Sequence, residues 1–463
     1  MYKKMEIQDA DCQPDKKELT PKSGFVYLIE KLQKKHEGLG TEWQELYTWY
    51  RQNPKWRKKI EQIVEACFYE KPKDGLTTRT AQRLYGTILE NSVTRLEKFS
   101  ACAYAHFLSY GLNLREREEY TFQAIDLGNI FHSAIEHFAK KLEAEGYTWT
   151  TLPEVRREEL IEESVEESIV DYGNTILYSS ARNEYIIKRL KRMMRRTVWA
   201  LTKQLEKGDF MPGGYEISFG GASGLSTSDI ALDGHGRMRL RGKIDRVDIC
   251  EDEDNVYVKV IDYKTGAKAF DLGELYYGLQ LQLVLYLNTA LELESRKNHG
   301  KTVIPAGIFY YQMKDPIVDK EKDEEKLEKK ILKELRLDGV VNAREEVVRH
   351  LDREISGNSL VVPIGRNKDR SLSKASKTAT QEEFELISEY AKKQMKQIGT
   401  RILEGETEVS PYELGTMTGC SYCPYKAICG FEEKIPGYEY RRLQKLKKDE
   451  ALMKMRKEVS EWE

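Results

Sequence analysis

An α/β fold with a mixed central sheet flanked by helices is predicted here by three observations. β-Branched and aromatic residues recur from Tyr215 to Phe219, Met238 to Cys250, Val256 to Tyr263 and Ile304 to Tyr311, the pattern of largely buried strands. Between the last two runs lies Tyr276 to Leu293, apolar almost all round and too long for a strand, hence a buried helix. Helical periodicity fills the chain before and after. The resulting order of helix, three strands, helix and strand makes a sheet with mixed pairing.

In chain order, residues 1 to 80 read as a charged helical segment. Trp43, Tyr47, Tyr50, Trp56 and Ile60 fall at helix-like intervals, and a Lys71-Pro72-Lys73-Asp74-Gly75 break closes the segment. Residues 81 to 463 form one larger domain. It opens with a stretch rich in small and aromatic residues from Leu84 to Leu112, then a helix around Leu127 to Leu142, and stays helical to about Glu206. The strands follow. A highly charged stretch from about 315 to 375, broken at Gly357-Asn358 and Gly365-Arg366, reads as an insertion, partly helical and partly mobile. A helix from Gln381 to Leu403 leads into a cysteine-rich segment and a basic helical tail.

Charge is high but balanced, with 75 Lys+Arg against 77 Asp+Glu, so nucleic-acid binding must use local patches rather than a global positive field. No apolar run approaches a membrane span, and Met1-Tyr2-Lys3-Lys4 does not begin a signal peptide; a cytoplasmic protein is the expectation. The seven cysteines are odd in number and unevenly spread, against a secreted disulfide framework.

The chemistry concentrates in Gly242-Lys243-Ile244-Asp245-Arg246 and Ile261-Asp262-Tyr263-Lys264-Thr265-Gly266. Folding these runs back about the acidic turn Glu251 to Asn255 sets Asp245 opposite Asp262, Val247 opposite Val260 and Ile249 opposite Val258. Opposed residues share a sheet face, and Lys264 joins it two positions on. Two carboxylates and an amine above an apolar floor suit Mg²⁺, a hard cation that takes oxygen ligands, beside a phosphate. Gln282 and Tyr286 share a helical face four residues apart, where an amide and a phenol can meet that lysine or a phosphate backbone. His132 and Glu136 lie one turn apart on the earlier helix, which can deliver the imidazole to a metal if it crosses the strand ends. Glu216 is either a further acid of the site or a strand-edge charge. Lys188 to Arg196 makes a basic helix, a candidate for phosphate contacts.

Cys420-x2-Cys423-x5-Cys429 leaves a tetrahedral metal or a cubane cluster one ligand short, and the last histidine is His350. The fourth thiolate must come from Cys12, Cys67, Cys102 or Cys250; Cys102, in Phe99-Ser100-Ala101-Cys102-Ala103-Tyr104, is the candidate. On spacing alone zinc and iron–sulfur remain equal.

Together these residues resemble the RecB-type branch of the PD-(D/E)XK nucleases, and more narrowly the C-terminal nuclease region of the AddB family of helicase–nuclease subunits. The likeness covers about residues 85 to 440: Ser92 to Cys102, Gly128 to Glu136, Gly242 to Arg246, Ile261 to Gly266, Gln280 to Leu287 and the cysteine group, in the family's order. The resemblance implies a Mg²⁺-dependent DNA exonuclease domain that resects double-strand breaks for recombinational repair, trimming the 5′-ended strand. It implies DNA and an AddA-like helicase–nuclease subunit as partners. Asp245, Asp262 and His132 would hold the metal, Lys264 would orient the attacking water or stabilise the transition state, and Gln282 and Tyr286 would shape the DNA path. Cys102, Cys420, Cys423 and Cys429 would carry a [4Fe–4S] cluster stapling the end of the domain to its beginning. Residues 1 to about 80 would match the tail of the family's helicase-like part. Gly236 to Lys243 is one residue too long for an ATP phosphate loop, so ATP binding is not implied. The alternatives are a DNA-end-binding assembly module without turnover, or a free-standing iron–sulfur nuclease.

Overall fold

The computed structural model describes residues 20–33, 40–67, 69, 71, 75–117, 122–172, 175–178, 180–220, 225–234 and 236–461. Cys12 and the centre of the 71–75 break lie outside them. Two compact units are present: Met1–Lys73 with Gly430–Tyr440, and Asp74–Cys429 with Arg441–Glu463. In the first, helices Pro21–Gln33, Thr41–Gln52 and Arg57–Cys67 close on Phe25, Leu28, Leu32, Tyr50 and Ile60. The Tyr50 hydroxyl donates to the Pro21 carbonyl at 2.7 Å, and Trp43, Tyr47 and Trp56 pack half-buried around this small core.

The second unit is built on a six-stranded mixed sheet of β1 (Met211–Phe219), β2 (Gly242–Glu251), β3 (Asn255–Lys264), β4 (Thr302–Gln312), β5 (Asp338–Asn342) and β6 (Thr378–Ala379), in that spatial order. The β3–β4 and β5–β6 pairs are parallel and the rest antiparallel. On one face Val247, Val258, Val260 and Ile308 meet α1 (Val93–Ala101), α5 (Gln282–Lys297), α6 (Gln381–Glu404) and α7 (Lys448–Glu461). On the other, Tyr257, Ile261, Tyr263, Phe309 and Tyr311 meet α2 (Ala124–Ala144), α3 (Glu154–Asp171) and α4 (Ala181–Leu205). Burial on both faces explains why β3 and β4 read as nearly continuous apolar runs. Among the described residues no helix is long and apolar enough to cross a membrane.

Three sequence expectations need correction. The run Met238 to Cys250 is two strands: Gly236–Leu240 joins Ile88–Asn91 and Asp229–Leu232 in a separate sheet, and the main sheet resumes at Gly242. The apolar stretch after Tyr276 is broken, with a short helix Leu272–Tyr276 before α5. At the break Gly278 takes a φ of 74°, and a Cβ there would meet Ser100 Oγ at 2.7 Å, so close approach to α1 requires glycine. The charged stretch read as an insertion contributes β5 to the core sheet and buries Val361, Val362 and Ile364 in the second core. Its charges belong largely to one helix, Glu324–Glu334, and to turns, while its apolar residues are structural.

Candidate active site

β2 and β3 pair in the expected register, with Arg246↔Ile261, Val247↔Val260 and Ile249↔Val258. The ladder ends there. Beyond it the Tyr263 backbone N–H donates to Asp245 Oδ2 at 2.8 Å, so the carboxylate takes the place of a strand carbonyl. Asp245 is 8% exposed and Asp262 1%, deep enough that ionising both is costly. Asp262 Oδ1 is buried without a hydrogen-bond partner. Lys264 Nζ pairs with Asp262 Oδ2 at 2.5 Å and donates to Gln282 Oε1 at 3.2 Å. Gln282 Nε2 in turn donates to the Tyr286 hydroxyl at 2.9 Å. The two polar residues of α5 thus satisfy each other and hold the lysine.

His132 comes from α2, in the layer on the opposite face, and reaches round the strand ends. Its Nδ1 lies 3.3 Å from Asp245 Oδ2 and 3.5 Å from Glu216 Oε1, and its ring packs edge-on to Tyr263. Donor atoms of His132, Glu216 and Asp245 all fall within 4.8 Å of one another, a spacing that can hold a metal ion.

Glu216 therefore belongs to the site. The registers Tyr215↔Arg246 and Ile217↔Ile244 put it across from Asp245 on the adjoining strand. Its φ of 50° is left-handed, a conformation uncommon for a non-glycine residue and enriched where function demands a special side-chain direction. Tyr215 packs with the second core and Ile217 with the first, so the strand switches faces at Glu216. Lys243 Nζ pairs with Glu216 Oε2 at 2.7 Å and lies 3.7 Å from Glu136. Two further participants escape sequence reading. Glu97 of α1 accepts the backbone N–H groups of Leu281 and Gln282, at 2.8 and 3.1 Å, and so caps the start of α5 beside the site. On the reverse face Arg246 makes a bidentate pair with Asp248, which also holds Lys259 at 3.0 Å.

Electrostatics follow the burial. Desolvation, then the neighbouring Asp262 charge, lifts the Asp245 carboxyl to about 7. Burial also raises Asp262 against the pull of Lys264. For His132 burial pushes downward, but Glu216, Asp245 and Asp262 outweigh it and hold the imidazole above its ordinary value. Burial pushes Glu216 upward, yet His132 and Lys243 keep it below the usual carboxylate range.

The basic helix does not present its charge to the site. Lys191 pairs with Glu162 and Glu166, Arg195 with Glu158 and Glu162, and Arg192 with Asp315. At the end of α1 Cys102 is buried and packs in one cluster with Tyr425 and Cys423. Burial raises its thiol, while the backbone amides of Ala105, Ser410 and Tyr104 work in the opposite direction, favouring the thiolate. The Tyr425 hydroxyl contacts Ser109 Oγ at 2.8 Å and donates to the Leu114 carbonyl at 2.9 Å, fastening the cysteine segment to the start of the domain. Cys420 and Cys429 are half-buried nearby in sequence, Cys250 lies in β2, and Cys67 is in the first unit.

A pH dependence follows for the metal-free chain. A carboxyl raised to about 7 contributes stability that is complete below its unfolded value near 3.8 and is lost as pH climbs to about 7. His132, raised above 6.5, acts in the same direction, its contribution fading above that value. Relative to Asp245→Asn, the thermal midpoint of the metal-free protein should fall between pH 4 and 7. Added Mg²⁺ or Mn²⁺ should raise it more at pH 8 than at pH 6. Parallel midpoints for the two proteins across that range would contradict the assignment.

Comparison with known proteins adds the lineage. The PD-(D/E)XK nuclease superfamily profile matches residues 90–430, and that of the ATP-dependent helicase/deoxyribonuclease AddB fifth domain matches residues 19–66. The B subunits of several bacterial ATP-dependent helicase/deoxyribonucleases are similar along the chain. That of Lachnoclostridium phytofermentans is 40% identical over 99% of this chain and 40% of its own length. That of Alkaliphilus metalliredigens is 36% identical over 95% and 38%. That of Caldanaerobacter subterraneus subsp. tengcongensis is 39% identical over 87% and 35%. The chain thus spans about 40% of the curated relatives it matches. With the match spanning the acids, the lysine and the cysteines alike, the chain belongs to the PD-(D/E)XK nuclease superfamily, and it is similar over most of its length to one part of the AddB-type subunits.

Proposed function

We propose that this chain carries a Mg²⁺-dependent deoxyribonuclease site that hydrolyses phosphodiester bonds in single-stranded DNA. The observation that carries the reading is the pair of buried carboxylates Asp245 and Asp262, both raised by burial and with Asp262 Oδ1 left without a partner, beside His132 and Lys264. Buried carboxylates left so are costly unless a cation completes them. Asp245, Asp262 and His132 would hold the ion, with Glu216 within reach. A divalent ion there supplies a water of lowered pKa and neutralises phosphate charge. The chain's own part is positional. Lys264 offers a fixed positive charge where negative charge builds on the phosphate. Gln282 and Tyr286 keep that ammonium in place and line the approach of the strand.

The family relationship supports a wider reading. The nuclease would act within a helicase–nuclease heterodimer with an AddA-like subunit, in the cytoplasm. There it would trim the 5′-ended strand of double-strand breaks for recombinational repair. Residues 81 to 463 would form the nuclease domain and residues 1 to 80 the end of a helicase-like domain. Cys102, Cys420, Cys423 and Cys429 would bind a [4Fe–4S] cluster; the amides facing Cys102 and the Tyr425 anchor favour a structural role for it.

Asp262→Ala should lower Mg²⁺-dependent cleavage of end-labelled single-stranded DNA by at least ~10³-fold with circular dichroism unchanged. Full activity in that variant would defeat the reading. Anaerobically purified protein should be brown with iron and sulfide bound, and Cys102→Ala should lose most of both. A colourless protein loaded with zinc would overturn the cluster.

A further inference from the structure

Lys268 stands four residues past Lys264, beyond the Thr265-Gly266-Ala267 turn. Its segment is pinned on every side. Gln312 Nε2 donates to the Lys268 carbonyl at 3.3 Å and Gln280 Nε2 to that of Ala269 at 3.0 Å, while the Phe270 N–H donates to Asp338 Oδ2 at 3.0 Å. The Lys268 ammonium lies 5.3 Å from the centroid of the Tyr310 ring, and Lys264 Nζ lies 5.7 Å from the same centroid. Tyr310 is the register partner of Asp262 on the neighbouring parallel strand. Two cations therefore flank one ring beside the buried acid.

They differ in occupation. Lys264 is committed to Asp262 and Gln282. Lys268 is half-buried on a pinned backbone, yet among the described residues it makes no ion pair and donates no side-chain hydrogen bond. Glu97, Asp262 and Glu274 lie within its electrostatic reach only. An ammonium with three donors left unpartnered is suited to an anionic oxygen from outside. The protein has need of such cations, because its net charge is −2 and the basic helix spends Lys191, Arg192 and Arg195 on its own acids.

We propose that Lys268 is a substrate-binding residue that engages a phosphate of single-stranded DNA next to the scissile one. The proposal rests on the nuclease reading of the site, but its test separates the two. The competing role is internal, with Lys268 merely screening Glu97, Asp262 and Glu274.

Binding of a fluorescent single-stranded oligonucleotide is measured with Ca²⁺ in place of Mg²⁺, across a salt series, for the wild type, Lys268→Gln and Lys268→Arg. Lys268→Gln should weaken binding about 5- to 10-fold at low salt and reduce the slope of log K against log salt by about 0.7, the value of one lost contact to a single strand. Lys268→Arg should restore both. In Mg²⁺, Lys268→Gln should raise KM more than it lowers kcat. An unchanged affinity and slope, or a loss of kcat at constant KM, would overturn the proposal in favour of screening. Wild-type binding with the predicted slope change but no Mg²⁺-dependent cleavage would sink the nuclease reading and leave the phosphate contact standing. Absence of wild-type binding would end both.

Discussion

Two like charges are buried side by side where a strand ladder stops, and much of the domain's local design answers that constraint. Each buried carboxylate carries a desolvation cost of several kcal/mol when ionised, and their mutual repulsion adds to it. The protein surrounds them with cations from separate elements: His132 from α2, Lys264 from the end of β3, and Lys243 through Glu216. None of these removes the cost fully, since Asp262 Oδ1 keeps no partner and both carboxyls stay raised. A site left short of positive charge in this way is predisposed to take up a divalent cation, and its affinity is set by how rigidly the acids are held apart from water.

Rigidity comes from the reverse of the sheet. Tyr215, Arg246 and Tyr263 are the chain neighbours of Glu216, Asp245 and Asp262. The Arg246 guanidinium lies 5.4 Å from the Trp149 ring and 5.7 Å from that of Tyr215, and is tied to Asp248 and Lys259. A buried ion network of this kind is weak evidence for stability. Here its placement matters more: locking one face of three adjoining strands fixes where the alternate residues emerge on the other. The left-handed turn of Glu216 then brings a third acid to the same point without altering the register on either side.

The hairpin that carries Asp245 and Asp262 is legible from sequence because its register is set by local alternation and a short turn. Gln282 and Tyr286 are legible for a related reason, a fixed helical spacing. Glu216 is not, because its place depends on a backbone conformation that glutamate rarely adopts. Glu97 is missed because its partners, the amides of Leu281 and Gln282, come from an element far along the chain. β5 hides in a charged stretch because Asp338-Gly339-Val340-Val341-Asn342 is short and flanked by charged helices. The basic helix misleads in the opposite way: Lys191 and Arg195 look available until α3 supplies their acids, and Arg192 until Asp315 does. Patterns of period two or four are read easily, whereas pairings between distant elements need the fold.

The account turns on a cation completing the Asp245–Asp262 pair. The most direct measurement is anomalous diffraction from crystals soaked in Mn²⁺. The account predicts an ion with oxygen ligands from Asp245 and Asp262 and a nitrogen from His132, with Lys264 still held by Gln282. An ion bound elsewhere, or the pocket between the acids empty at saturating Mn²⁺, would contradict it.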